Sequence, residues 1–290
     1  MSTITSPAAH EKESLVQRYP LTSFFVLAIG LTWIFMIADA LGSQGILPFR
    51  LPVPLLIVMG YMPTVAAVIV TGRTRGMAGV WALFHKLLIW RVGLQWYLFA
   101  IFGLAGVYLV TILLYNEISP SASLPILSVH LPTVSLLQLV PYLIPMFIVI
   151  TIVNGEELAW RGFATPELQA RYSALTSSLI LGVIWAAFHL PLFFTKTGSS
   201  QADWSIASFM IATIAMTILY TWMLNHTRGS VLLAYLFHGS ANTWSQVFSI
   251  DHANSRVGWI LAGLLMLVAM IVVIYAGAEN LSRSNRRIQE

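Results

Sequence analysis

The chain has 290 residues, 58% of them hydrophobic and only 9% charged, against roughly 25% charged in soluble domains. That balance excludes an ordinary soluble enzyme and marks an integral membrane protein. The absence of cysteine excludes a disulfide framework, a thiol nucleophile and a cysteine metal site. The net charge of +4 reflects a few cations among fewer acids, which reads as a topology signal, with no nucleic-acid partner expected.

Residues 1–20 are polar and include Glu11, Lys12, Glu13 and Arg18. They lack the compact pattern of a secretory signal, and the apolar run that follows is too long for a signal h-region, so an uncleaved first span is expected. Runs of about 20 apolar residues, the length a membrane helix needs, recur at roughly 21–42, 53–72, 96–116, 134–155, 175–194, 205–225, 230–249 and 257–277. No alternating strand pattern occurs, so the expected fold is all-α, a polytopic membrane bundle of about eight transmembrane helices. Between the second and third spans, VWALFHKLLIWRVGLQW sets Trp81, Leu87 and Trp90 against His85, Lys86 and Arg91, an amphipathic pattern suited to the membrane interface. Pro141 and Pro145 are expected to bend the fourth span. The layout is then a cytoplasmic tail at 1–20, a transmembrane bundle at 21–277 and a basic cytoplasmic tail at 278–290.

Orientation follows from Lys and Arg. With the N-terminus inside, inner segments carry twelve of the fifteen, Arg161 among them, and outer segments carry Arg50, Lys196 and Arg256. This predicts a multi-pass protein of the cell (plasma or inner) membrane with both termini cytoplasmic.

Three spans keep polar groups that are costly at bilayer depth. NGEELAWRGF at 154–163 puts Glu157 and Arg161 four apart, on one helical face, as a supporting ion pair. Glu156 points elsewhere and has no local partner in this reading. The trio also fits a plain cytoplasmic helix end. His189, in IWAAFHLPLFF, also fits a packed histidine, and His238 and Asn242, four apart in LLAYLFHGSANTW, also fit interhelical glue. Converged, the six residues are the inventory of a hydrolytic site: a general base, imidazoles and oxyanion donors. The same inventory would serve as a two-histidine, one-carboxylate zinc site, with Glu156, His189 and His238 as ligands. No HExxH motif and no Gly-rich phosphate loop is present.

At these residues the chain resembles the CPBP family of intramembrane proteases, which includes the type II CAAX prenyl endopeptidases. Two glutamates followed by an arginine match Glu156, Glu157 and Arg161. An aromatic residue, usually Phe, separated by three residues from a histidine matches Trp185 and His189, and the Trp is expected to touch packing rather than chemistry. Histidine and asparagine four apart match His238 and Asn242. The resemblance covers roughly 80–280, most strongly 150–245, and places a peptidase core at about 134–249. It implies an endopeptidase acting on membrane-associated protein or peptide substrates, with the lipid bilayer as its other partner. In it, Glu156 and His189 would activate water, His238 and Asn242 would stabilise the oxyanion, and Glu157 and Arg161 would support them. The family reads as a glutamate-type, metal-independent peptidase, with a zinc metalloprotease as the alternative. Competing functions are a non-catalytic scaffold or bacteriocin self-immunity protein of the same fold, and a proton-relay transporter, against which no inverted repeat is seen.

One expectation conflicts with convergence. If the fourth span ends at 155, Glu156 lies near the inner surface, whereas His189 lies about 22 Å along the fifth span at 1.5 Å per residue.

Overall fold

The computed structural model describes residues 14–127, 136–196, 201, 203–248, 250 and 254–283, with side chains from 140 onward in the helix that starts at 136. The outer parts of both expected tails, including Arg286 and Arg287, lie outside the described residues. Among the described residues all regular structure is helical.

A one-turn helix α1 (Leu15–Arg18), closed by a Ser14/Gln17 capping box, leads into α2 (Pro20–Ser43). α3 (Val53–His85) breaks at Gly76, whose φ of 65° suits glycine far better than any residue with a Cβ. Beyond that break, 77–85 and the 3₁₀ turn Lys86–Leu88 form the expected amphipathic segment, with Trp81 and Trp90 both more than half exposed. Then follow α4 (Leu94–Ile118), α5 (Leu136–Val153), a seven-residue π-helix (Leu158–Ala164), α6 (Thr165–Gln169), α7 (Ala174–Phe188) with a 3₁₀ turn to Phe194, α8 (Ile206–His226), α9 (Val231–Val247) and α10 (Ser255–Ala276). Helices occupy all eight expected spans.

Among the described residues six helical segments are long and apolar enough to cross a membrane, and up to seven if the pair 140–153 and 158–169, bent by 55°, is one span. α9 has only 17 residues and carries His238 and Asn242. These helices make a multi-pass membrane protein.

The fourth span begins as α5, with Pro141 and Pro145 inside one helix. The break comes at 154–156, and the chain then continues as buried helix to Gln169. Carbonyls freed at this break find donors on α3: the Tyr61 hydroxyl donates to Ile152, and Thr64 donates to Gly155 at 2.6 Å. Non-helical backbone at membrane depth requires such partners. A Cβ on Gly155 would sit 2.7 Å from the Tyr61 Cα, so only glycine permits this approach. A Cβ on Gly239 would similarly strike Thr151, which fixes where α9 crosses α5.

The far end of the broken span is marked by polar contacts. Gln169 and Asn225 exchange two hydrogen bonds (2.9 and 3.2 Å), Asn225 donates to the Asn280 carbonyl (2.7 Å), and the Ala174 N–H donates to Glu279 (2.8 Å). The end of α6, the end of α8, the start of α7 and the segment after α10 therefore share one layer. Glu156 is thirteen residues from Gln169, and His189 is fifteen residues from Ala174. Buried helix therefore continues past the expected limit at 155.

Candidate active site

Glu156 occupies the break itself, half-buried. Its Oε2 accepts two indole N–H bonds, from Trp160 and Trp185, each 2.8 Å. The expectation that Glu156 lacks a local partner is therefore wrong: Trp160, one turn on, reaches back to it. The signal was present as the four-residue spacing of Glu156 and Trp160, together with the rule that a buried indole N–H needs an acceptor. Trp185 does more than pack, since its N–H makes a bond to Glu156 that phenylalanine cannot make.

The π-helix starts immediately after the second glutamate. Glu157 is fully buried, and its Oε1 accepts from Arg161 (3.1 Å) and from His238 Nδ1 (2.6 Å). The expected i,i+4 pair exists, and α9 extends it into a three-residue chain. Arg161 is fully buried, so it does not belong among the loop charges. Its guanidinium lies between two aromatic faces, 3.6 Å from the Tyr220 ring centroid and 4.0 Å from that of Trp185. Two of its nitrogens, Nε and Nη2, have no hydrogen-bond partner, and the ring faces supply the cation–π attraction that offsets this. Tyr220 carries no motif and was not legible as a site residue. Thr165 and Lys86 satisfy π-helix carbonyls, at Trp160 (2.9 Å) and Gly162 (2.8 Å).

His189 follows the last residue of α7. Its Nδ1 is 2.7 Å from the Trp185 carbonyl, which can only accept, so Nδ1 carries the proton and Nε2 is the free nitrogen. His238 has its Nδ1 engaged by Glu157, which again leaves Nε2. Both imidazoles, Asn242 and Trp185 line one cavity of about 130 Å³, completed by apolar side chains including Trp204, Phe209 and Leu261. Asn242 is exposed within it. The fold thus brings all six expected residues into one neighbourhood, linked through Trp185: it bonds Glu156 and His189, lies against the Arg161 guanidinium, and its ring is 5.7 Å from that of His238. Among the described residues no group of three or more His, Cys, Asp or Glu side chains has metal-holding spacing.

Residues 137–244 match the family model described as Type II CAAX prenyl endopeptidase Rce1-like. This core is similar to that family. The match runs from α5 into α9 and contains Glu156, Glu157, Arg161, Trp185, His189, His238 and Asn242. A CAAX prenyl protease 2 of Methanococcus maripaludis is 32% identical over 135 residues, 45% of this chain and 49% of that protein. The chain thus spans about half the length of that curated relative.

Proposed function

We propose that the Rce1-like core is an intramembrane endopeptidase that hydrolyses peptide bonds of membrane-associated proteins or peptides. The observation that carries this reading is one cavity faced by two imidazoles with engaged Nδ1 atoms, beside a carboxylate with one oxygen held. The similarity to a protein named as a CAAX prenyl protease supports it.

In the proposed reaction a water bound between Glu156 Oε1 and His189 Nε2 attacks the scissile carbonyl carbon. Its proton passes to Glu156, and the carbonyl oxygen becomes the oxyanion of a tetrahedral intermediate. Asn242 and His238 donate to that oxyanion. A donor N–H on His238 Nε2 requires the imidazolium, for which Glu157 supplies the counter-charge. When the intermediate collapses, the C–N bond breaks and Glu156 returns the proton to the leaving amine.

The test is proteolysis of a peptide library by the purified protein in detergent, with Glu156→Gln as control. Activity should survive chelators, because the carboxylate alone activates the water. Loss of activity in chelator, restored by zinc, would instead assign Glu156, His189 and His238 as metal ligands.

The proposed setting is the cell membrane, with both termini cytoplasmic. With Arg161 buried, eleven inner cations still face three outer ones. A reporter fused after Glu290 that is active only outside the cytoplasm should be silent, and strong activity there would invert the orientation.

A further inference from the structure

The carboxylate of Glu156 is held unequally. Both hydrogen bonds it accepts from side chains go to Oε2, from Trp160 and Trp185 at 2.8 Å. Among the described residues Oε1 has no side-chain or backbone donor, and it is not among the buried side-chain atoms left without a partner.

The two indoles come from different elements and are separately locked. Trp160, on the π-helix, is fully buried, edge-on to Phe24 (5.5 Å between ring centroids) and Phe188 (5.3 Å). Trp185, on α7, is 4% exposed and stands edge-on to Tyr220 (5.9 Å) with the Arg161 guanidinium over its face. Neither ring can swing away without disturbing the core. Glu156 lies at the break at 154–156, directly before the π-helix that carries Trp160, and π-helical turns recur at functional sites.

We infer that Trp160 and Trp185 form an indole clamp that assigns separate tasks to the two oxygens of Glu156, fixing Oε2 so that Oε1 alone exchanges a proton with the reacting water. Both in-plane lone pairs of Oε2 are committed to N–H donors. A proton can be gained and lost at Oε1 without breaking either bond, so the carboxylate keeps one orientation through the cycle. The tryptophans are positioning residues: they act on the reaction through Glu156 and need not touch substrate. Pre-set orientation of a reacting group is a large part of what a site contributes to rate.

This rests on the peptidase reading, and the test separates the two. Trp160→Phe and Trp185→Phe each keep a ring in the core and delete one N–H. A hydrogen bond to a charged group contributes about 1.5–3 kcal/mol, so each variant should lower kcat about tenfold or more, with KM unchanged, and the double variant should lower it further. Independently of turnover, ¹⁵N-indole spectra of the protein's ten tryptophans, with two signals assigned by the same variants, should show both signals shifting in Glu156→Ala. Wild-type kcat in both Phe variants of an active enzyme would overturn the clamp, and so would indole signals that ignore the loss of Glu156. Indole signals that respond in a protein that cleaves nothing would uphold the clamp and remove the peptidase reading instead.

Discussion

Glu156→Gln should lower kcat by about 10²–10⁴-fold, the range expected for loss of a general base, while the protein still folds. The side-chain amide of glutamine keeps an oxygen that can accept from Trp160 and Trp185, so the contacts that hold α7 against the π-helix survive. What changes is the other position: an NH₂ group stands where Oε1 stood, and it cannot take a proton from water. The variant separates chemistry from architecture more cleanly than Glu156→Ala, which would leave two buried indole N–H groups without an acceptor. Circular dichroism and gel filtration in detergent should match wild type, and turnover of any cleaved peptide should collapse. Wild-type turnover in Glu156→Gln would remove the residue from catalysis and the proposed mechanism with it.

Arg161→Ala should cost about 3–5 kcal/mol of stability, the range for removing one member of a buried ion pair. The loss has two sources. Glu157 would keep a buried charge with only His238 beside it, and the slot between Trp185 and Tyr220 would lose the side chain that fills it. Folded yield and melting temperature in detergent should both fall. Arg161→Lys should recover only part of the loss, because an ammonium group cannot lie flat between two rings and donate to Glu157 together. Replacing both charges, as in Glu157→Gln with Arg161→Met, should be much milder for stability. That double variant should still turn over slowly, because His238 would lose its counter-charge. Wild-type thermal stability in Arg161→Ala would refute the structural pair.

Much of the architecture was legible in the residues because the signals are local. Apolar runs of helix length marked eight spans, each occupied by helix, and an amphipathic segment was readable between the second and third. The i,i+4 spacing of Glu157 and Arg161 anticipated a bond that the structure contains. The motif residues Glu156, His189, His238 and Asn242 lie close to one cavity or line it. Hydropathy and helical periodicity act over a few turns, and a sequence records them directly.

Tertiary structure decided the rest. Hydropathy ended the fourth span at 155, because Glu156 and Glu157 look like a surface. They instead open a buried helical segment that runs to Gln169, made tenable by partners remote in the chain: Trp185, 29 residues from Glu156, and His238, 81 residues from Glu157. The bend at 154–156 depends on Gly155 meeting Tyr61 of another helix, and the lodging of Arg161 depends on Tyr220 of a third. Whether a buried charge is tolerable is set by the donors, acceptors and ring faces that surround it in space, and those arrive from distant segments only when the helices pack.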